Sequence, residues 1–165
     1  EPKQGLGILS VTGTTGATGN QELITRVIKN PYQMNWPQPF IFSLSELEME
    51  NGCIILERLR LIKSSPVIFE TTYFPDDKLN GFKEINFSDQ SLFDVLRKEY
   101  DINVIGGEQK IKAIKAPIFV AKLLQIQAKK PILHLERKIF TSKNDFCFYS
   151  SLYCFTDNHF LFGTF

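Results

Sequence analysis

The sequence predicts an α+β domain with a central antiparallel β-sheet and helices packed on it. Three observations predict it. Runs rich in β-branched and aromatic residues outnumber the amphipathic helical stretches. Consecutive runs are joined by short polar turns, among them Lys63-Ser-Ser65 and Ser142-Lys-Asn-Asp145, which favours antiparallel neighbours. At 165 residues and 43% hydrophobic side chains, the chain is long enough to bury one real core.

In chain order, Glu1 to Gln4 read as the frayed end of a linker and Gly7-Ile-Leu-Ser-Val11 as a short strand. Thr12-Gly-Thr-Thr-Gly-Ala-Thr-Gly-Asn20 follows, then Gln21 to Lys29, whose Leu23, Ile24, Val27 and Ile28 fall on one helical stripe. Strand, glycine loop and helix are the parts that cradle a phosphate, because glycines let backbone N–H groups approach an anion at a helix N-terminus. The spacing of Gly13, Gly16 and Gly19 is similar to that of the short-chain dehydrogenase nucleotide loop. A doubly wound sheet needs repeated strand-helix units, however, and beyond Asn30 the chain supplies mainly strands and no Tyr-x-x-x-Lys pair. The loop is read as a flexible edge of a binding site, with nucleotide binding as an alternative.

Pro31, Pro37 and Pro39 mark residues 30 to 39 as an irregular connection in which Trp36 is a packing anchor. Phe40 to Leu47 reads as a strand, or as a strand entering a helical turn capped by Ser43 or Ser45, and Asn51-Gly52 as a turn. A hairpin comes next, with arms Ile54–Ile62 and Pro66–Pro75. Arg58 and Arg60 are two apart and therefore share a strand face, and Glu70 is a carboxylate in an otherwise apolar arm. These charges either decorate a surface or floor a small-molecule pocket.

Ser88 reads as the N-cap of an amphipathic helix carrying Leu92, Phe93, Val95, Leu96 and Tyr100. Gly106-Gly107 reads as a turn before an alternating strand with Lys110, Lys112 and Lys115 on a solvated face, and Pro117 opens a short helix from Ile118 to Leu124. Three strands close the chain: Pro131–Thr141, Phe146–Phe155 and His159–Phe165.

Nineteen Lys and Arg against eighteen Asp and Glu give a net charge of +1, too balanced for this piece alone to bind nucleic acid. No apolar run approaches the ~20 residues that span a bilayer, and no signal segment opens the chain, so a cytoplasmic location without membrane contact is expected. Cys53, Cys147 and Cys154 are odd in number without C-x-x-C spacing, and read as buried reduced thiols. His134 and His159 lack companions at ligand spacing. Neither metal nor cofactor is expected.

Several strings in order resemble the UTRA domain, the effector-binding part of GntR-type bacterial transcription regulators of the HutC subfamily. They are Leu56-Glu-Arg-Leu-Arg-Leu61, Pro66-Val-Ile-Phe-Glu-Thr-Thr-Tyr-Phe-Pro75, Ser91-Leu-Phe-Asp-Val-Leu96 with Glu99-Tyr100, Ile111-Lys-Ala-Ile-Lys-Ala116, Pro131-Ile-Leu-His-Leu-Glu-Arg137, and Tyr149-Ser150 with Tyr153 and Asp157. The resemblance places the effector-binding domain at 51–165, with 1–50 as a linker and strand-loop-helix segment of the same globule. It implies a chorismate lyase-like fold, a homodimer without catalysis, and a small effector such as a sugar, sugar phosphate or carboxylate. Operator DNA would be contacted only through an N-terminal winged helix-turn-helix that this chain lacks.

By position, the resemblance assigns Arg58 and Arg60 to the effector's phosphate or carboxylate, Glu70 to its hydroxyl or amine groups, and Ser91 to an anion contact. Tyr153 matches a pocket tyrosine, and Phe93 stands where many relatives have tyrosine. Phe148 replaces a common glutamate and Phe155 a common arginine, which weakens the case for an amino-sugar phosphate. The alternatives for these residues are structural: ion pairs of the arginines with Glu57, Glu70 or Glu136, capping by Ser91, and core packing by Tyr153. A chorismate lyase-like enzyme acting on a small carboxylate is the alternative function.

Overall fold

The computed structural model describes residues 23–88 and 90–161. Among these residues six strands form one sheet: β1 (Ile24–Met34), β2 (Cys53–Ile62), β3 (Ser65–Pro75), β4 (Val104–Lys115), β5 (Pro131–Thr141) and β6 (Cys147–Cys154). Their spatial order is β1-β2-β3-β6-β5-β4, and every neighbouring pair is antiparallel. Among the described residues three short α-helices accompany them, α1 (Glu46–Asn51), α2 (Leu92–Tyr100) and α3 (Ile118–Leu124), with a 3-10 turn at Phe82–Glu84. This is the α+β class expected.

The β2–β3 hairpin turns on Lys63 and Ser64, both at positive φ (48° and 67°), the backbone of a two-residue turn whose twist matches the strands it joins. Its register sets Arg58 opposite Glu70 and Ile54 opposite Phe74. Alternation then gives the sheet two distinct faces. On the first lie Leu56, Arg58 and Arg60 of β2, Glu70 and Thr72 of β3, and Phe148 and Ser150 of β6. α2 covers one end of this face, packing Leu92, Val95 and Leu96 against Ile54, Leu56, Phe74 and Phe148. Ile68, Leu135, Leu152 and Cys154 form a second apolar cluster at its other end.

The second face is arranged likewise. Trp36, Phe42, Cys53, Ile55 and Tyr149 pack at one end, and α3 packs Val120, Ala121 and Leu124 on Leu59, Leu61 and Phe69 at the other. A polar belt crosses the middle of each face, and these belts are where ligand chemistry is available. α1 is fixed locally by a reciprocal capping box between Ser45 and Glu48, and tertiarily by Trp36 Nε1, which donates to the Glu48 carbonyl at 2.6 Å.

Several expectations are corrected. The segment from Ile24 is a strand, not part of a helix, and it continues through Pro31 to Met34. β1 is an edge strand with register shifts on both sides of Lys29, so the missing proline N–H falls where ladder pairing is already interrupted. The expected strand Gly7–Val11 and the glycine loop lie outside the described residues. The N-cap of α2 is Ser91, not Ser88. Phe40–Leu44 forms bends, not a strand, and Ser45 is the cap that starts α1. Residues 159–161 of the expected last strand are not in the sheet, and its remainder lies outside the described residues.

Gly106 and Gly107 lie within β4 and do not form a turn. A Cβ on Gly107 would sit 2.6 Å from the Lys138 carbonyl oxygen across the ladder, whereas one on Gly106 would meet open space. Gly107→Ala is therefore expected to cost roughly 1–3 kcal/mol by pushing the edge strand off β5. Gly106→Ala should stay within about 1 kcal/mol of the parent. Urea unfolding of the two variants checks the contrast.

Candidate anion-binding site

The first polar belt is built by the hairpin. Arg58 and Glu70 are direct cross-strand partners, and Arg60 stands diagonally to the same carboxylate. Arg58 Nη2 donates to Glu70 Oε1 and Arg60 Nη2 to Oε2, both at 3.0 Å. Thr72 Oγ1 adds a donor to Oε1 at 3.3 Å, and Arg60 Nη1 donates to Thr25 Oγ1 on β1 at 2.6 Å. All three charged side chains are buried, with relative exposures of 2% for Arg58, 9% for Arg60 and 5% for Glu70.

Two guanidinium groups thus share one carboxylate. Burial pushes the Glu70 carboxyl up, but Arg58 and Arg60 outweigh it and hold the group at about 2. Burial lowers Arg58 to about 10 despite Glu70, so it remains charged at neutral pH. The carboxylate is thus over-supplied with positive charge while a guanidinium remains under-compensated. Arg58 Nε and Arg60 Nε are buried and have no hydrogen-bond partner among the described residues. Such orphaned donors are costly in a folded protein and are the groups to which an acceptor would bind most favourably. An anion presenting two oxygens would satisfy guanidinium edges of this kind.

A cleft of about 310 Å³ runs along β1, lined by Ile24, Thr25, Arg26, Val27, Leu61, Ser64 and Ser88. Thr25 belongs to both cleft and cluster, since it accepts from Arg60. Ser91 and Phe93 stand on the same side of the sheet, carried by α2. The Ser91 hydroxyl caps the helix, accepting from the Asp94 N–H at 3.5 Å, and the Phe93 ring meets Phe148 edge-on at 6.3 Å. Phe148 is wholly buried and stacks on Phe74 at 5.0 Å, so the position where a glutamate was expected in relatives is core here.

Tyr153 is not brought to this site. It pairs with Phe69, one residue before Glu70, and therefore faces the other side of the sheet, where it packs in the α3 cluster with Phe155. A one-residue step along a strand reverses the face. Cys154, the neighbour of Tyr153, is directed toward the arginine side, and burial raises its thiol to about 12. Arg137, half-buried and donating through Nε to Gln109 Oε1 at 2.7 Å, is a residue of the same face that sequence reading passed over. Its alternation with Leu135 and Ile139 was the available signal.

Comparison with known proteins agrees with this architecture. The UTRA domain profile matches residues 37–159. The HTH-type transcriptional regulator GmuR of Bacillus subtilis is 21% identical over 126 residues, covering 76% of this chain and 52% of that protein. The chain thus spans about half the length of this curated relative. The effector domain of PhnF from Mycobacterium smegmatis superposes with a TM-score of 0.76 at 19% identity, covering 94% of this chain and 93% of that one. The ligand-binding domain of a GntR-family regulator from Bordetella bronchiseptica gives 0.72 at 15% identity, covering 88% and 89%. The C-terminal domain of the histidine utilization repressor from Pseudomonas syringae gives 0.70 at 19%, covering 87% and 99%. The profile match takes in most of the chain and the sheet topology is shared, so this chain belongs to the UTRA domain family.

Proposed function

We propose that the chain is the effector-binding and dimerisation domain of a GntR-type transcription regulator, acting in the cytoplasm and without catalysis. The observation that carries this reading is the buried Arg58–Glu70–Arg60 cluster, with two guanidinium donors that have no partner among the described residues. It is an anion receptor in waiting. The effector is a small anion, a sugar phosphate or a carboxylate, that gives acceptors to the arginines and a hydroxyl or amine to Glu70. A DNA-binding unit elsewhere in the protein contacts the operator. The effector acts only through its different affinity for two dimer arrangements, which bounds the shift in operator affinity. Relatives that are transcription regulators support this reading over a chorismate lyase-like enzyme.

The test is a thermal-shift screen of the chain against sugars, sugar phosphates and small carboxylates. Anionic members should raise the melting temperature saturably, and neutral sugars of the same size should do so less. Stabilisation by neutral compounds alone would overturn the assignment of the cluster. The helix expected to follow the glycine loop is strand from Ile24 onward, which weighs against the nucleotide-binding alternative.

A further inference from the structure

The second face of the sheet carries a separate cavity of about 220 Å³. Its walls are aromatic: Phe40, Phe42, Tyr73, Tyr149 and Tyr153. Tyr153 is backed by His134, stacked parallel at 4.3 Å. Its polar groups come from β5 and β6, where Glu136 lies opposite Ser151 and His134 opposite Tyr153. Glu136 is a buried carboxylate, 9% exposed. Its partners are His134 Nδ1 at 3.4 Å and Lys112 Nζ at 3.6 Å, the latter on a side chain 59% exposed. Burial lowers the His134 pKa, with Glu136 opposing and Lys112 reinforcing that direction, so the imidazole is a weak counter-ion near neutral pH.

Ser151, His134 and Glu136 stand in the order of a hydrolytic triad, with His134 Nε2 at 2.8 Å from Ser151 Oγ. Nucleophilic chemistry also needs donors for a developing oxyanion. β6 is paired on both sides, so its backbone N–H groups are engaged in the ladder. The β6 backbone therefore offers no oxyanion hole beside Ser151.

What the cavity would bind is indicated by the protein's own ammonium groups. Lys112 reaches Glu136, and Lys110 Nζ sits 5.3 Å over the Phe42 ring. Two lysines of the exposed edge strand thus place cations where aromatic faces and a buried carboxylate attract them. Neither is held in a closed structure, so a diffusible cation can take the place. Burial raises the Tyr73, Tyr149 and Tyr153 hydroxyls, which stay protonated and add no charge of their own. The volume lies below the ~300 Å³ of ordinary ligand pockets and excludes a nucleotide.

We propose that this cavity is a second ligand site, on the sheet face opposite the arginines, for a small organic cation, an amine or quaternary ammonium compound held by Glu136 within the aromatic walls.

The test is calorimetric titration of the chain with choline, and with 3,3-dimethylbutan-1-ol, which has the same shape without the charge. Choline should bind saturably and the alcohol should not. Glu136→Gln should weaken choline by about tenfold or more. Lys112→Ala removes a tethered competitor and should strengthen binding by about twofold or more. Equal responses to choline and the alcohol, or no saturable choline response, would overturn the proposal. Should Glu136→Gln fold poorly, Lys112→Ala decides: unchanged or weaker choline binding counts against it.

Discussion

Glu70→Gln is expected to lower the unfolding free energy by roughly 3–5 kcal/mol, the usual cost of removing one partner from a buried ionic cluster. The amide keeps the shape, but only its oxygen can accept and its NH2 would face a guanidinium N–H, so the loss combines the charge with one reversed hydrogen bond. Two guanidinium groups, 2% and 9% exposed, would face one another without a carboxylate between them. The pH profile gives an independent reading. The folded carboxyl is depressed from 4.5 to about 2, so its stabilisation is fully present above about 4.5 and is lost as pH falls through about 2. The parent should therefore weaken across that window by more than the variant, and the two stability curves should converge in acid. Urea unfolding at stepped pH measures both. A variant within about 1 kcal/mol of the parent at neutral pH would show that the arginines find compensation elsewhere. Partial rescue by millimolar inorganic phosphate would tie the deficit to a missing anion.

The parts of this site that were legible in the sequence share a cause. Arg58 and Arg60 lie on one arm of a hairpin with a short polar turn, and both arms are buried, so a one-residue slip would have put the charges in the wrong layer. The strand identity of β1 was less legible because Leu23, Ile24, Val27 and Ile28 satisfy a helical stripe as well as a β-branched preference. An edge strand needs little burial, and Ile24 and Ile28 are 51% and 39% exposed, so periodicity carried weak information there. Tyr153 failed for the opposite reason. The resemblance located the right strand, but on a two-faced sheet an error of one residue is an error of one whole face, and sequence similarity at this level does not fix single residues. The Glu136 cavity was legible in principle: once the turn at 142–145 pairs β5 with β6, Glu136 must lie beside Ser151 and His134 beside Tyr153. Its aromatic walls from Phe40 and Phe42 were not, because that segment is irregular and its position is set by Trp36 and Tyr149.

Arg60→Ala is expected to abolish most of the anion-dependent stabilisation while costing the unliganded protein less than Glu70→Gln does. Removing Arg60 leaves Arg58 and Glu70 as a balanced pair at 3.0 Å, so no carboxylate is stranded. What is lost is the donor edge linking cluster and cleft: Nη1 reaches Thr25, which lines the cleft, and Nε has no partner among the described residues. Charged hydrogen bonds contribute roughly 1.5–3 kcal/mol each, so the affinity of a phosphate such as glucose 6-phosphate should fall about ten- to a hundredfold. At a ligand concentration that stabilises the parent by about 2.7 kcal/mol, the variant would retain under about 1.5 kcal/mol. Arg60→Lys separates charge from shape. An ammonium preserves the positive field but not the planar fork, so it should recover only part of the shift. Full recovery would mean that the site reads charge alone, and a parent-like shift in Arg60→Ala would move the anion away from the hairpin altogether. The expected ranking, parent above lysine above alanine, follows from one geometric fact: Arg60 is the member of the cluster that touches the cleft-lining wall.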